Sequence, residues 1–249
     1  MFRATVLALL AAAASQAQFQ SAPRTDENSR LAHQQLLEKK TKGRIDVYFE
    51  GDSITRRWGA TDYPALLANW KKNFSGWNAA DFGWGADRLE NILWRLENGE
   101  LDGVNPKVIV LLGGTNNLRP GVDPAELVRG LEAILRIMRE KAPKAVIVAT
   151  AIFPRNDHMD YLPVIDAVNA KLAALADGKT VRYLDINRQL ANERGELFEG
   201  MMNPDKLHPA EKAYQIWADA LKPIFTELLG PPAAEDLAPP PTGDPSAKR

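Results

Sequence analysis

Two short stretches, far apart in the chain, hold residue types suited to acyl transfer. Ser53 closes the tripeptide Gly51-Asp52-Ser53, directly after the strand-like run at 45–50. A hydroxyl displayed where a strand ends is placed to act as a nucleophile. Asp205 and His208 stand three residues apart in Asp205-Lys206-Leu207-His208-Pro209, just ahead of a helical pattern. An imidazole that takes the hydroxyl proton, with a carboxylate near enough to orient it, completes the parts of that chemistry. For an isolated Asp-Ser pair the commoner fate is the N-cap of a helix, so the assignment needs more than these residues alone.

Histidine is scarce enough for the base to be argued by elimination. The chain has three, His33, His158 and His208. His33 falls in the amino-terminal helical pattern, where it reads as a solvated surface residue. His158 falls in the loop after the fourth strand-like run, flanked by Asp157 and Asp160, where it is a competitor for the base or a pocket-lining residue. His208 has the carboxylate at short spacing.

The elements that must bring these stretches together alternate between two periods. Apolar runs of strand length lie at 45–50, 77–82, 108–113, 145–151 and 181–186, separated by helical patterns. That alternation predicts parallel strands with crossover helices. Helices are predicted over 29–42, over the stripe Leu89, Ile92, Leu93 and Leu96, and after Asp123-Pro124-Ala125-Glu126. The last of these combines an N-cap, proline at the first helical position and the reciprocal Glu of a capping box. A final helix is expected from Pro209, facing inward through Ala213, Ile216, Trp217, Ala220, Ile224 and Phe225, kinked at Pro223 and stopped by Gly230.

In an open parallel sheet, ligands bind outside the carboxyl ends of the strands. The polar signals fall at those ends: Gly51-Asp52-Ser53 after the first run, Gly83 to Asp87 after the second, Gly113 to Asn117 after the third, and Phe153-Pro154-Arg155 after the fourth. Trp58, Trp84, Phe198, Met201 and Met202 read as packing or rim residues, and Asp185 as a structural carboxylate.

Composition narrows the partners. A chain of 249 residues with formal charge -1 can bury a full core and offers no basic field for a phosphate backbone, so nucleic acid is not an expected partner. Residues 1–17 read as an export signal, with Arg3, the apolar stretch from Val6 to Ala14 and the small-x-small pattern Ser15-Gln16-Ala17. No other stretch nears the ~20 apolar residues of a membrane span. Cysteine is absent, which excludes disulfides, thiol nucleophiles and thiolate metal sites. The expected organisation is a signal at 1–17, one domain over 18–230 with its core at 45–229, and a disordered Pro-rich tail at 231–249.

Taken together, the blocks resemble the SGNH or GDSL-type hydrolases over roughly residues 45–225. Gly51-Asp52-Ser53 is similar to the first block, Gly114-Thr115-Asn116-Asn117 to the third, and Asp205-x-x-His208 to the last. The stretch from Asn91 to Leu101, ahead of Pro106-Lys107-Val108, looks most like the catalytic subunits of intracellular platelet-activating-factor acetylhydrolases and their bacterial relatives. The resemblance implies a three-layer α/β/α fold, with a flavodoxin-like parallel sheet of about five strands. It also implies a Ser53-His208-Asp205 triad, an acyl-enzyme, no metal or cofactor, and an oxyanion hole built from the N–H of Ser53, the N–H of Ala86 and the Asn116 side-chain amide. One position departs from the pattern: the second block places glycine directly before its Asp, whereas here Ala86 precedes Asp87 and the glycine is Gly85, which leaves Gly85 as the alternative to Ala86 for the second donor.

The function expected from these readings is a secreted esterase for small acyl groups, acetyl foremost, carried on carbohydrate. A lysophospholipase or thioesterase acting on lipid is the enzymatic alternative. A non-catalytic carbohydrate-binding module on the same fold is a third, disfavoured because Ser53, Asn116, Asp205 and His208 are all present.

Overall fold

The computed structural model describes residues 19–248, so the expected export signal lies outside the described residues. Five strands form one parallel sheet: β1 (Val47–Gly51), β2 (Ala79–Asp81), β3 (Val108–Leu112), β4 (Val146–Thr150) and β5 (Val181–Leu184), in the order β2-β1-β3-β4-β5. β1 pairs with β3 from Val47↔Val108 through Gly51↔Leu112. Chain order reverses between these two strands, so the loops after β1 and β3 face each other across the crevice where a doubly wound sheet binds its ligand.

Helices cover both faces, because alternate side chains of each strand need a separate apolar layer. Tyr48, Ile109, Leu111, Ile147 and Ala149 pack beneath α1 (Glu27–Lys39), α4 (Leu89–Glu97), α5 (Pro124–Lys141) and α6 (Leu162–Leu175). Val47, Phe49, Val108, Val110 and Val148 pack beneath α2 (Ser53–Gly59), α3 (Pro64–Phe74), α7 (Asn187–Leu190) and α8 (Glu211–Leu229). On this second face Trp58 of α2 stacks on Trp217 of α8, ring centroids 5.0 Å apart, with Phe49 edge-on to both. The expected three-layer α/β/α architecture around a five-stranded parallel sheet is what the chain adopts.

Several local expectations differ in instructive ways. At the start of α5 the Asp123 carboxylate accepts from the N–H of Ala125, but Glu126 does not return the capping bond; it pairs with Arg119 instead. The last helix begins at Glu211 rather than Pro209 and buries Tyr214, Ala218 and Leu221 beside Trp217 and Phe225, leaving Ile216, Ala220 and Ile224 half-buried. His33 is not a free surface residue: its Nδ1 lies 2.6 Å from Glu100 Oε1, and its ring packs against Trp94.

Residues 231–248 are held against the body, whereas their composition predicted a loose tail. Ala233 N–H donates to Gly76 O, Leu237 N–H to Asn78 Oδ1, Arg44 N–H to Leu237 O, and Thr61 N–H to Thr242 O. Proline restricts the unfolded chain, and extended backbone can meet its hydrogen-bonding needs on exposed loop edges, so little apolar burial is required to seat it.

Candidate active site

Ser53 is the first residue of α2, two positions beyond the end of β1. The cap of that helix is Asp52, whose Oδ1 accepts from the N–H of Ile54 at 2.9 Å. The carboxylate takes the structural task that a serine in this place would otherwise perform, and the Ser53 hydroxyl is left available. Ser53 Oγ lies 2.9 Å from His208 Nε2.

His208 is presented by a closed turn. Asn203 N–H donates to His208 O at 2.8 Å, and its side-chain amide reaches Pro209 O at 3.0 Å. Asp205 accepts from the N–H groups of Leu207 and His208 through Oδ1, at 3.0 and 2.9 Å, while its Oδ2 sits 2.8 Å from His208 Nδ1. Pairing with the carboxylate favours the proton on Nδ1, which leaves Nε2 as the acceptor facing Ser53. Two further contacts hold the halves in register. Tyr214 of α8 donates its hydroxyl to Ile54 O at 2.7 Å, and Asn156 N–H after β4 donates to Lys206 O at 3.0 Å.

The electrostatics around the imidazole favour the neutral form. Burial pushes the His208 pKa below its ordinary value, and the positive charges of Arg57 and Arg155 act in the same direction against the Asp205 partner. Arg57 Nη1 lies 3.7 Å from Asp205 Oδ2. Arg155 is buried, donates to the carbonyl and hydroxyl of Thr115, and pairs with Asp157. Asp205 stays ionised because bonds from its own turn and from His208 outweigh its partial burial.

The loop after β2 carries the departure noted in the sequence. Ala86 takes a left-handed backbone angle, φ 61°, whereas Gly85 does not. The position that asks for glycine is therefore the one occupied by alanine, and its N–H is retained. Trp84 N–H donates to Gly51 O at 3.1 Å, and Asn116 Nδ2 donates to Asp87 O at 2.8 Å. The Gly85-Ala86 stretch is thus stitched between the end of β1 at Gly51 and the 3₁₀ turn at Thr115–Asn117.

Beneath this loop is a charge cluster that sequence reasoning missed. Arg95 is buried, with Nη2 2.6 Å from Glu50 Oε1 and Nε 2.7 Å from Asp87 Oδ2, and Nη1 paired with Glu100. The same guanidinium donates to Phe82 O at 2.7 Å and Gly51 O at 3.2 Å, the carbonyls where β2 and β1 end. Burial raises Glu50 to about 8 and Asp87 to about 6, against the opposing pull of Arg95. A signal was present: Glu50 interrupts an otherwise apolar parallel strand, and Arg95 sits within the apolar stripe of α4, where an ionised group must find a partner.

His158, Trp58, Trp84, Met201, Phe198 and Asp185 have other surroundings and partners. His158 is exposed, with its Nδ1 4.0 Å from Asp160 and its ring over Tyr161. Trp58 and Met201 are core, Trp84 is buried with its indole N–H on Ser29 Oγ, and Phe198 is exposed. Asp185 accepts from the N–H of Asn187, the first residue of the short α7. Among the described residues no cluster of three or more His, Cys, Asp or Glu could hold a metal ion, and no helix is long and apolar enough to cross a membrane.

The family model for GDSL-like Lipase/Acylhydrolase proteins matches residues 49–216. Platelet-activating factor acetylhydrolase IB subunit alpha1 of Bos taurus is 31% identical over 217 residues, covering 86% of this chain and 89% of the relative. A GDSL-like lipase from Bacteroides thetaiotaomicron superposes with a TM-score of 0.64 at 15% identity, covering 79% of this chain and 98% of that one. A carbohydrate esterase family 3 protein from Talaromyces cellulolyticus superposes with a TM-score of 0.54 at 18% identity, covering 74% and 97%. With the family model spanning well over half of its length and a relative matched nearly end to end, the chain belongs to the GDSL-like lipase/acylhydrolase family of serine ester hydrolases.

Proposed function

We propose that the chain is a secreted esterase that removes small acyl groups, acetyl first among them, from carbohydrate esters. The observation that carries the chemistry is the 2.9 Å approach of Ser53 Oγ to His208 Nε2, with Asp205 behind the ring. Ser53 Oγ attacks the ester carbonyl as His208 Nε2 takes its proton. The tetrahedral oxyanion is received by the N–H groups of Ser53 and Ala86 and by Asn116 Nδ2, donors aimed before the charge develops. Collapse expels the alcohol, which takes the proton from His208, and leaves the acyl group on Ser53. Water then loses its proton to the same nitrogen, attacks the acyl-enzyme and releases the acid, with the proton returned to Ser53.

Support for acetyl comes from the 31%-identical relative, an acetylhydrolase by name. Support for an extracellular carbohydrate comes from the export signal read at residues 1–17. That relative's name also favours a second reading, a lipid esterase, since the acetyl group it removes belongs to platelet-activating factor.

Rates on para-nitrophenyl esters of increasing chain length, alongside acetate release from acetylated xylan and acetylated monosaccharides, test the assignment. Acetate preferred over octanoate, with release from the sugars, is expected. Octanoate preferred over acetate, with acetylated sugars untouched, would move the assignment to lipid.

A further inference from the structure

We infer that Arg24 is a positioning residue for the oxyanion hole, holding the Gly85-Ala86 peptide so that the Ala86 N–H is kept aimed at the reacting oxygen; this rests on the esterase reading above. Arg24 Nη1 donates to Gly85 O at 2.9 Å and lies 3.3 Å from Asp87 Oδ1. The carbonyl of Gly85 and the N–H of Ala86 belong to one peptide unit. In a trans peptide these two groups point in opposite directions, so a donor fixed on the carbonyl fixes the N–H on the far side. No cis bond occurs among the described residues.

The geometry calls for such a clamp. Ala86 holds a left-handed angle that a residue with a Cβ adopts only where its surroundings enforce it. Gly85 has nothing within 4 Å of where a Cβ would stand, so side-chain packing at that position does not supply the constraint. The guanidinium does so at both ends of the turn, on the Gly85 carbonyl and on the Asp87 carboxylate. Asp87 in turn is held from below by Arg95, and its own carbonyl accepts from Asn116 Nδ2 at 2.8 Å. Two of the three donors assigned to the hole therefore depend on the placement of one short loop. A full positive charge on the Gly85 carbonyl also polarises the shared peptide, making its N–H a stronger donor to a developing anion.

Arg24 is itself anchored. Its Nε and Nη2 engage Asp26, the N-cap of α1, at 3.1 and 3.0 Å. Two residues earlier, Ala22 N–H donates to Glu90 O and Ala22 O accepts from Asn91 Nδ2, both at 3.0 Å, which binds this segment to the first turn of α4. The segment lies ahead of all four family blocks and outside the matched residues 49–216.

The test compares the full chain with Arg24→Ala and Arg24→Gln on para-nitrophenyl acetate, with rates expressed per active site titrated by a fluorophosphonate. Arg24→Ala is expected to lose about 10- to 100-fold in kcat, less than removal of a donor outright, with KM nearly unchanged. Added guanidinium chloride should restore part of that rate to Arg24→Ala and none to Arg24→Gln, whose amide fills the space. A purely structural role would lower the number of titratable sites and leave kcat per site unaltered. A kcat per site within about twofold of wild type overturns the inference, and Arg24→Gln carries the same criterion should Arg24→Ala fail to fold. A wild-type chain that turns over no acyl ester would overturn the esterase reading itself, and this inference with it, which separates the two failures.

Discussion

Asp52 caps α2 and Ser53, its neighbour, does not: the carboxylate accepts from the N–H of Ile54 while the hydroxyl faces His208 Nε2. Structural and chemical duties at the end of β1 are therefore separable by mutation. Ser53→Ala should leave the melting temperature within a few degrees of wild type while ester hydrolysis falls by about 10³-fold or more. Asp52→Ala removes the cap and should cost about 1 kcal/mol of stability, measured by urea denaturation. A large stability loss in Ser53→Ala would contradict this division of labour.

The pH dependence follows from the environment of His208. In the proposed mechanism its neutral form is the base, and burial with Arg57 and Arg155 lowers its pKa, so the neutral form persists to lower pH than for an ordinary histidine. The acid limb of kcat/KM should therefore inflect below 6.5. Arg57→Gln removes one of those positive charges and should move the inflection upward. An acid limb that stays in place in that variant would show that Arg57 does not govern this titration.

Ala86 makes a prediction opposite to the usual cost of introducing glycine. Because its φ is 61°, Ala86→Gly relieves a left-handed conformation that costs a side-chain-bearing residue about 1 kcal/mol, against a similar entropic loss. Calorimetry should find the variant as stable as wild type or slightly more so, with activity retained. Ala86→Val, β-branched at the same angle, should lower both.

How much of this was legible in the sequence depends on which physics wrote each feature. The five strands and the sheet's parallel character follow from periodicity, which local residues control, whereas the meeting of Ser53 with His208, 155 residues on, was implied by the resemblance of the blocks. Asp205 and His208 could be paired from spacing alone because one turn satisfies both. Arg24 and Arg95 could not be placed in this way. Their partners Gly85, Asp87, Glu50 and Glu100 come from other elements, and only the assembled sheet brings them together. The carboxy-terminal segment escaped for a related reason: its composition says that it buries little, whereas its backbone bonds to Gly76, Asn78 and Thr61 are set by the body it lies on.

The buried cluster also shapes stability. Glu50 ionises in the unfolded chain near 4.5 but only near 8 when folded, because burial disfavours its charge. The folded state then holds the extra proton between those values, and stability falls as pH rises through that window. Melting temperatures measured across it should decline less steeply for Glu50→Gln than for wild type. Parallel slopes would show that the ionisation of Glu50 is not linked to folding.

In the proposed mechanism the Ser53 oxygen is the atom that becomes acylated. Incubation of the wild-type chain with a fluorophosphonate, followed by peptide mass mapping, tests this directly. A single stoichiometric adduct on Ser53, lost in Ser53→Ala and strongly slowed in His208→Asn, is the predicted result. An adduct on another residue, or none in a chain that still hydrolyses acetyl esters, would contradict it.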